Sequence, residues 1–251
     1  MREDEREDQR TFWGPLATIL WGVVIALLFL GTQTLVVIIY IVASKIVVPG
    51  EVSSAVARLQ YDGVLLSVCT FATAAIGGSM TVIVVKLKRG SNLRTYLGIT
   101  LPKKRQFFQW FIAIIVFIVL SDCVSFFLGK PIVPEFMAKT YASLRSPWML
   151  WLALLLAAPL FEELFFRGFL IKGLSASVLR WHGAVIFSSA AWATVHQQYD
   201  VYGITTIFAL GLILGAARVK TGSIVLTMFL HSFCSFVATA ETIIHLRRMF
   251  A

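Results

Sequence analysis

Acid is scarce in this chain. Of its 13 Asp and Glu, five (Glu3, Asp4, Glu5, Glu7 and Asp8) fall in the first eight residues, leaving eight for the other 243 positions. Charge of either sign reaches only 14%, where a typical globular chain carries about 25%. Cysteine is also rare: Cys69, Cys123 and Cys234 are an odd number in apolar runs, without metal-ligand spacing. They read as small buried hydrophobes, not as a disulfide framework, a metal site or a redox pair. No glycine-rich phosphate loop, HExxH helix, solenoid repeat or low-complexity tract occurs. These absences remove nucleotide-loop enzymes, zincin-type proteases and repeat scaffolds from consideration. What fills the space is apolar: 58% of the residues, with a mean hydropathy of +0.83. A soluble fold of 251 residues cannot bury that much apolar surface. The chain is therefore expected to be an integral membrane protein.

The expected fold class is all-α, a polytopic transmembrane bundle of about seven to eight spans. Residues 1–11 form a charged head and 12–251 a single membrane domain. Apolar runs cover Phe12–Ser44, Gly63–Val85, Phe107–Leu128, Trp148–Ile171, Gly183–His196, Val201–Ala217 and Ser223–Ile243. The first is long enough to be one tilted, protruding helix or two half-spans broken near Gly31. Gly77-Gly78-Ser79 offers a close-packing face on the second. Between the second and third runs come Lys86, Lys88, Arg89, Arg94, Lys103, Lys104 and Arg105 without one carboxylate. Cationic short loops stay on the cytoplasmic side, so the 86–105 loop is placed there. The net charge of +9 thus belongs to loops, and no nucleic-acid partner is expected. The bilayer is the partner the composition demands. Alternation puts the tail with Arg247 and Arg248 on the other side, against the positive-inside rule.

Few polar residues interrupt the runs: Asp122, Glu162, Glu163, Arg167, His196, His231 and Glu241. Each mid-span charge costs about 2.5–3.5 kcal/mol on insertion scales. Asp122 and Glu241, each alone near a span end, read as structural groups, and His182 and His245 as interface residues. The stretch Ala158-Pro159-Leu160-Phe161-Glu162-Glu163-Leu164-Phe165-Phe166-Arg167 differs. Glu163 and Arg167, four apart, lie on one helix face in the favourable acid-before-base order. Glu162 points about 140° away from Arg167 and is left over. Pro159 removes a backbone hydrogen bond just upstream and bends the helix. A leftover carboxylate beside a wet kink suits general-base work. His196, one turn after Trp192, and His231, one turn before Ser235, are each satisfied most simply by helix–helix hydrogen bonds. With Glu162 they also make a set able to activate water and hold an oxyanion. The same Glu/His/His set has the donor types to ligate zinc with a water. No HExxH helix supports that, so no cofactor is expected, with zinc left open. Counted from opposite faces, Glu162 and His196 fall at depths about 15 Å apart in a ~30 Å slab.

The order EELFFR, then WATVH, then LGAARVKTGSIVLTMFLHSFCS resembles the CPBP family, the CAAX-prenyl-protease-type and Abi membrane proteins. The family pattern is EExxxR, then FxxxH, then HxxxN or a close variant, here over about residues 145–240. Tyr96-Leu97-Gly98 in the basic loop is similar to the family's upstream segment. The resemblance implies an intramembrane glutamate endopeptidase acting on a membrane-associated protein or peptide, in a bacterial inner or plasma membrane. It implies Glu162 as activator of water, His196 as its assistant and His231 as oxyanion donor, with Ser235 in the last motif. Glu163, Arg167 and Trp192 support the site. Trp192 replaces the usual Phe, which keeps an aromatic wall of another shape, and Ser235 replaces the usual Asn with a shorter donor. That second departure motivates an alternative, a catalytically silent immunity or adaptor member. A proton-coupled transporter using Glu162 and Glu163 is the third reading.

Overall fold

A computed structural model describes residues 11–44, 57–178 and 180–249. The acidic head, apart from Thr11, lies outside the described residues. Helices α1 (Pro15–Ser44), α2 (Gly63–Leu87) and α3 (Leu93–Leu97) are followed by α4 (Lys104–Phe127) and α5 (Glu135–Ala142). Then come α6 (Trp148–Leu174), α7 (Arg180–Thr194), α8 (Val201–Thr221) and α9 (Ile224–Met249). Six of them, α1, α2, α4, α6, α8 and α9, are long and apolar enough to cross a membrane. The protein is an all-α polytopic bundle. Helix α1 runs unbroken through Gly31 for 30 residues. Helix α7 has only 15 residues, about 22 Å at 1.5 Å per residue, and falls short of a full crossing.

Polar groups mark where helices begin and end. The Asp62 carboxylate accepts from the Val64 and Leu65 amides to start α2, and its other oxygen takes the Tyr40 hydroxyl at 2.8 Å. Asp200 starts α8 by accepting from Gly203, and this hydrogen bond, with Lys130 beside it, holds its carboxyl below the usual range. At the far end of α8, Gly222 stops the helix in the left-handed conformation that glycine adopts without penalty. Gly77 bears out the expected close-packing face, because a Cβ there would collide with the Phe161 ring of α6.

The bundle has two unlike ends. At one, Trp13 donates to the Val84 carbonyl, Lys88 sits over the Trp13 ring and Lys220 over Trp181. Tyr96 is fully buried there, stacked on Phe169, and burial pushes its phenol up to about 12. The Ile224 amide donates to the Gly98 carbonyl at 2.9 Å, and the Ser223 hydroxyl to Thr100. The Tyr96-Leu97-Gly98 segment is therefore clamped to the α8–α9 junction. The seven cations of 86–105 are joined at this end by Lys172, Arg180, Arg218 and Lys220. Among the described residues no carboxylate lies there. Asp62, Asp122, Glu135, Asp200 and Glu241 all belong to the opposite half, where Tyr141 of α5 donates to Thr239 of α9.

Candidate active site

Helix α6 carries the site and is not a plain α-helix. Pro159 has no N–H for the Leu155 carbonyl, and the turn before it, Ala153–Ala157, is widened to a π-helix. A second π segment runs from Glu163 to Leu170. A π turn holds more residues than an α turn, so the angle between neighbours shrinks and adjacent side chains diverge less. This is why Glu162 and Glu163, expected to face apart, both reach toward His231 of α9.

Glu163 and Arg167 form the expected pair, entirely inside the protein. Glu163 is 0% exposed and Arg167 1%, with Nη1 3.2 Å from Oε1. His231 Nδ1 approaches the same oxygen at 3.1 Å. A carboxylate only accepts, so Nδ1 carries the proton. The Arg167 guanidinium lies 4.1 Å over the Trp192 ring, a desolvated cation–π contact. Glu163 Oε2 and both Arg167 terminal nitrogens lack hydrogen-bond geometry to any described residue. The cluster is held by charge and stacking more than by linear hydrogen bonds.

Glu162 is not left over. Its Oε2 accepts the Trp192 indole N–H at 2.5 Å and lies 3.9 Å from His231 Nε2. Three elements, α6, α7 and α9, thus converge on one carboxylate. The sequence reading gave Trp192 the role of a wall and missed its hydrogen bond. The signal was available, because an indole N–H inside a span must find an acceptor where Phe has none to satisfy. The depth mismatch shrinks. Glu162 and Trp192 are each 12 residues from the turn joining α6 to α7, counted back from Leu174 and forward from Arg180, and His196 lies one helical turn farther out, about 6 Å. Depth runs from that shared turn, not from opposite faces.

The other two residues lie farther out. His196 sits just past the end of α7, half-buried, with Nδ1 2.9 Å from the Trp192 carbonyl and its ring edge-on to the indole. It borders the site through Trp192. Ser235 is half-buried one turn beyond His231, with no hydrogen bond from its side chain among the described residues. Among the same residues no three His, Cys, Asp or Glu side chains group as metal ligands.

Two cavities flank this cluster. One of about 270 Å³ lies between α1, α6 and α7, walled by Gly22, Ala26, Phe29, Phe165 and Ala191, with Glu162 as its one ionisable lining residue. Its rim residues Val23, Phe187 and Val195 are exposed on the side of the bundle. The other, about 460 Å³, lies toward the acidic half between α4, α8 and α9. There Asp122 and Glu241 both line the cavity as close neighbours. The reading of each as an isolated group is corrected: they are a carboxyl pair bridging α4 and α9. Cys123, read as buried, is exposed on α4, while Cys69 is buried as expected.

Residues 144–237 match the family model described as type II CAAX prenyl endopeptidase, Rce1-like. An Escherichia coli protein described as an uncharacterized 24.3 kDa protein is 32% identical over 114 residues, 42% of this chain and 52% of that one. The chain thus spans about half the length of the curated relative it matches. No solved structure matches. Glu162, Glu163, Arg167, Trp192, His196, His231 and Ser235 all fall inside the matched segment.

Proposed function

We propose that this chain, whose segment 144–237 belongs to the CPBP family, is an intramembrane endopeptidase in which Glu162 activates the attacking water. The observation that carries the reading is the convergence of Trp192 and His231 on the Glu162 carboxylate, itself the polar end of an apolar cavity. The Trp192 N–H fixes one carboxylate oxygen and leaves the other to take a proton from water. The water oxygen bonds to the scissile carbonyl carbon, the C–N bond breaks, and the proton returns to the departing amine. His231, with its Nδ1 proton committed to Glu163, can donate from Nε2 to the oxyanion only as imidazolium. Glu163 and Arg167 hold that ring in place. His196 assists from the far side of Trp192, and Ser235 supplies a hydroxyl one turn away.

The substrate is a membrane-associated protein or peptide, entering from the bilayer between α1 and α7, where the cavity rim is exposed. No metal takes part. The basic end faces the cytoplasm of a bacterial inner membrane by the positive-inside rule. A second reading, a silent immunity or adaptor member, is favoured by one feature: the Ser235 side chain makes no hydrogen bond among the described residues, where the family pattern carries a longer amide donor.

Purified wild type and Glu162→Gln, each incubated with a peptide library with and without chelator, separate the readings. New termini from wild type alone, insensitive to chelator, are expected, with a loss in Glu162→Gln of at least about a thousandfold, some 4 kcal/mol of barrier. Equal cleavage by both proteins sinks the role of Glu162. A phenotype in cells that survives Glu162→Gln favours the silent member.

A further inference from the structure

We propose that Arg218 anchors a phosphate-binding site at the basic end of the bundle, independent of the Glu162 chemistry. The chemistry is that of a phosphate oxyanion, carried by an anionic lipid headgroup or by free phosphate.

Arg218 lies in the last turn of α8 and is 8% exposed. Its Nε makes no hydrogen bond, and no ion pair or side-chain hydrogen bond of this residue occurs among the described residues. The other large buried cation, Arg167, has Glu163; Arg218 has nothing of the kind. The other cations of this end include Arg94, whose Nε donates to the Ile99 carbonyl next to Gly98, and Lys220, which lies over Trp181. The carbonyl end of α8 offsets part of this charge but does not neutralise it.

The guanidinium cannot swing out to solvent freely. It packs on the backbone of Gly98, where a Cβ would come within 2.6 Å of Cζ and Nη2. Gly98 is in turn tied to Ile224, and Thr100 to Gly222 and Ser223. A fork of N–H donors held rigidly against a glycine, in a field of cations, selects a compact anion with several acceptor oxygens. It sits in the last turn of a spanning helix, the depth at which lipid phosphates lie.

The test compares wild type, Arg218→Gln and Arg89→Gln in nanodiscs of neutral phosphatidylcholine, with and without phosphatidylglycerol, reading the thermal midpoint. Phosphatidylglycerol is expected to raise wild type by about 5 °C, the size of effect for a ligand well above its Kd. Arg89→Gln, an exposed charge lost from the same end, should keep that rise. Arg218→Gln should lose it, yet be no less stable than wild type in neutral lipid, which a merely structural arginine would not allow. Inorganic phosphate giving the same Arg218-dependent rise in neutral lipid identifies free phosphate as the source, and no response to it identifies the headgroup. Should Arg218→Gln not fold, Arg218→Lys, which keeps the charge and loses the fork, is expected to halve the rise. An equal rise in wild type and in the Arg218 variant that folds overturns the proposal.

Discussion

At the scale of single residues, the carboxylate pair of α6 separates into two jobs by environment. Glu163 is wholly enclosed with Arg167 and His231, whereas Glu162 has one oxygen on an indole and borders a cavity. Removing the indole N–H while keeping a ring tests that division. Trp192→Phe removes the indole donor from Glu162, and a hydrogen bond to a charged group is worth about 1.5–3 kcal/mol. The turnover number should fall about 10- to 100-fold with KM little changed, as read by steady-state cleavage of a peptide found in the library screen. Arg167→Met should act on the fold instead. It strands a buried carboxylate, which costs about 3–5 kcal/mol, visible as a lowered midpoint in thermal unfolding. Arg167 was legible in the sequence because its acid lies four residues away. The Trp192–Glu162 bond joins positions 30 apart, and the Asp122–Glu241 pair joins two helices that looked unrelated. Spacing reports contacts within a helix; contacts between helices need the packing.

At the scale of elements, the apolar runs were a faithful guide to the long helices, since burial in lipid leaves little choice of backbone. The run ending at His196 misled for a physical reason. Apolar residues in the Gly183–His196 stretch face protein as well as lipid, so hydropathy could not say that α7 stops at Thr194. Nor could it show π turns, which depend on how neighbouring helices hold α6. Pro159→Ala tests that element. It restores the missing N–H, allowing the Ala153–Ala157 turn to tighten, and the change rotates Glu162 away from Trp192. The thermal midpoint should hold or rise while cleavage drops at least about tenfold, the trade expected when a strained turn serves a site. A variant as active as wild type would show that the widened turn has no part in placing Glu162.

At the scale of the whole molecule, the chain crosses from the basic end to the acidic half and back, with α6 and α7 meeting in a short turn near the basic end. The segment 144–237 forms the part of the bundle that holds Glu162, and α1 and α2 cover it through Phe29 and Gly77 against Phe161. One consequence follows from the shortness of α7. A helix of about 22 Å cannot match a ~30 Å hydrocarbon layer, so lipid beside it must thin or tilt to meet its ends. A bilayer dimpled next to the cavity that holds Glu162 would, on the proposed protease reading, let a peptide bond near the headgroups reach the carboxylate without being drawn to the centre of the membrane. Cleavage should weaken steadily in phosphatidylcholines of increasing chain length, while a soluble peptide in detergent shows no such trend. The protein would then be a sensor of membrane thickness, its turnover set by the lipid around it as much as by the residues within.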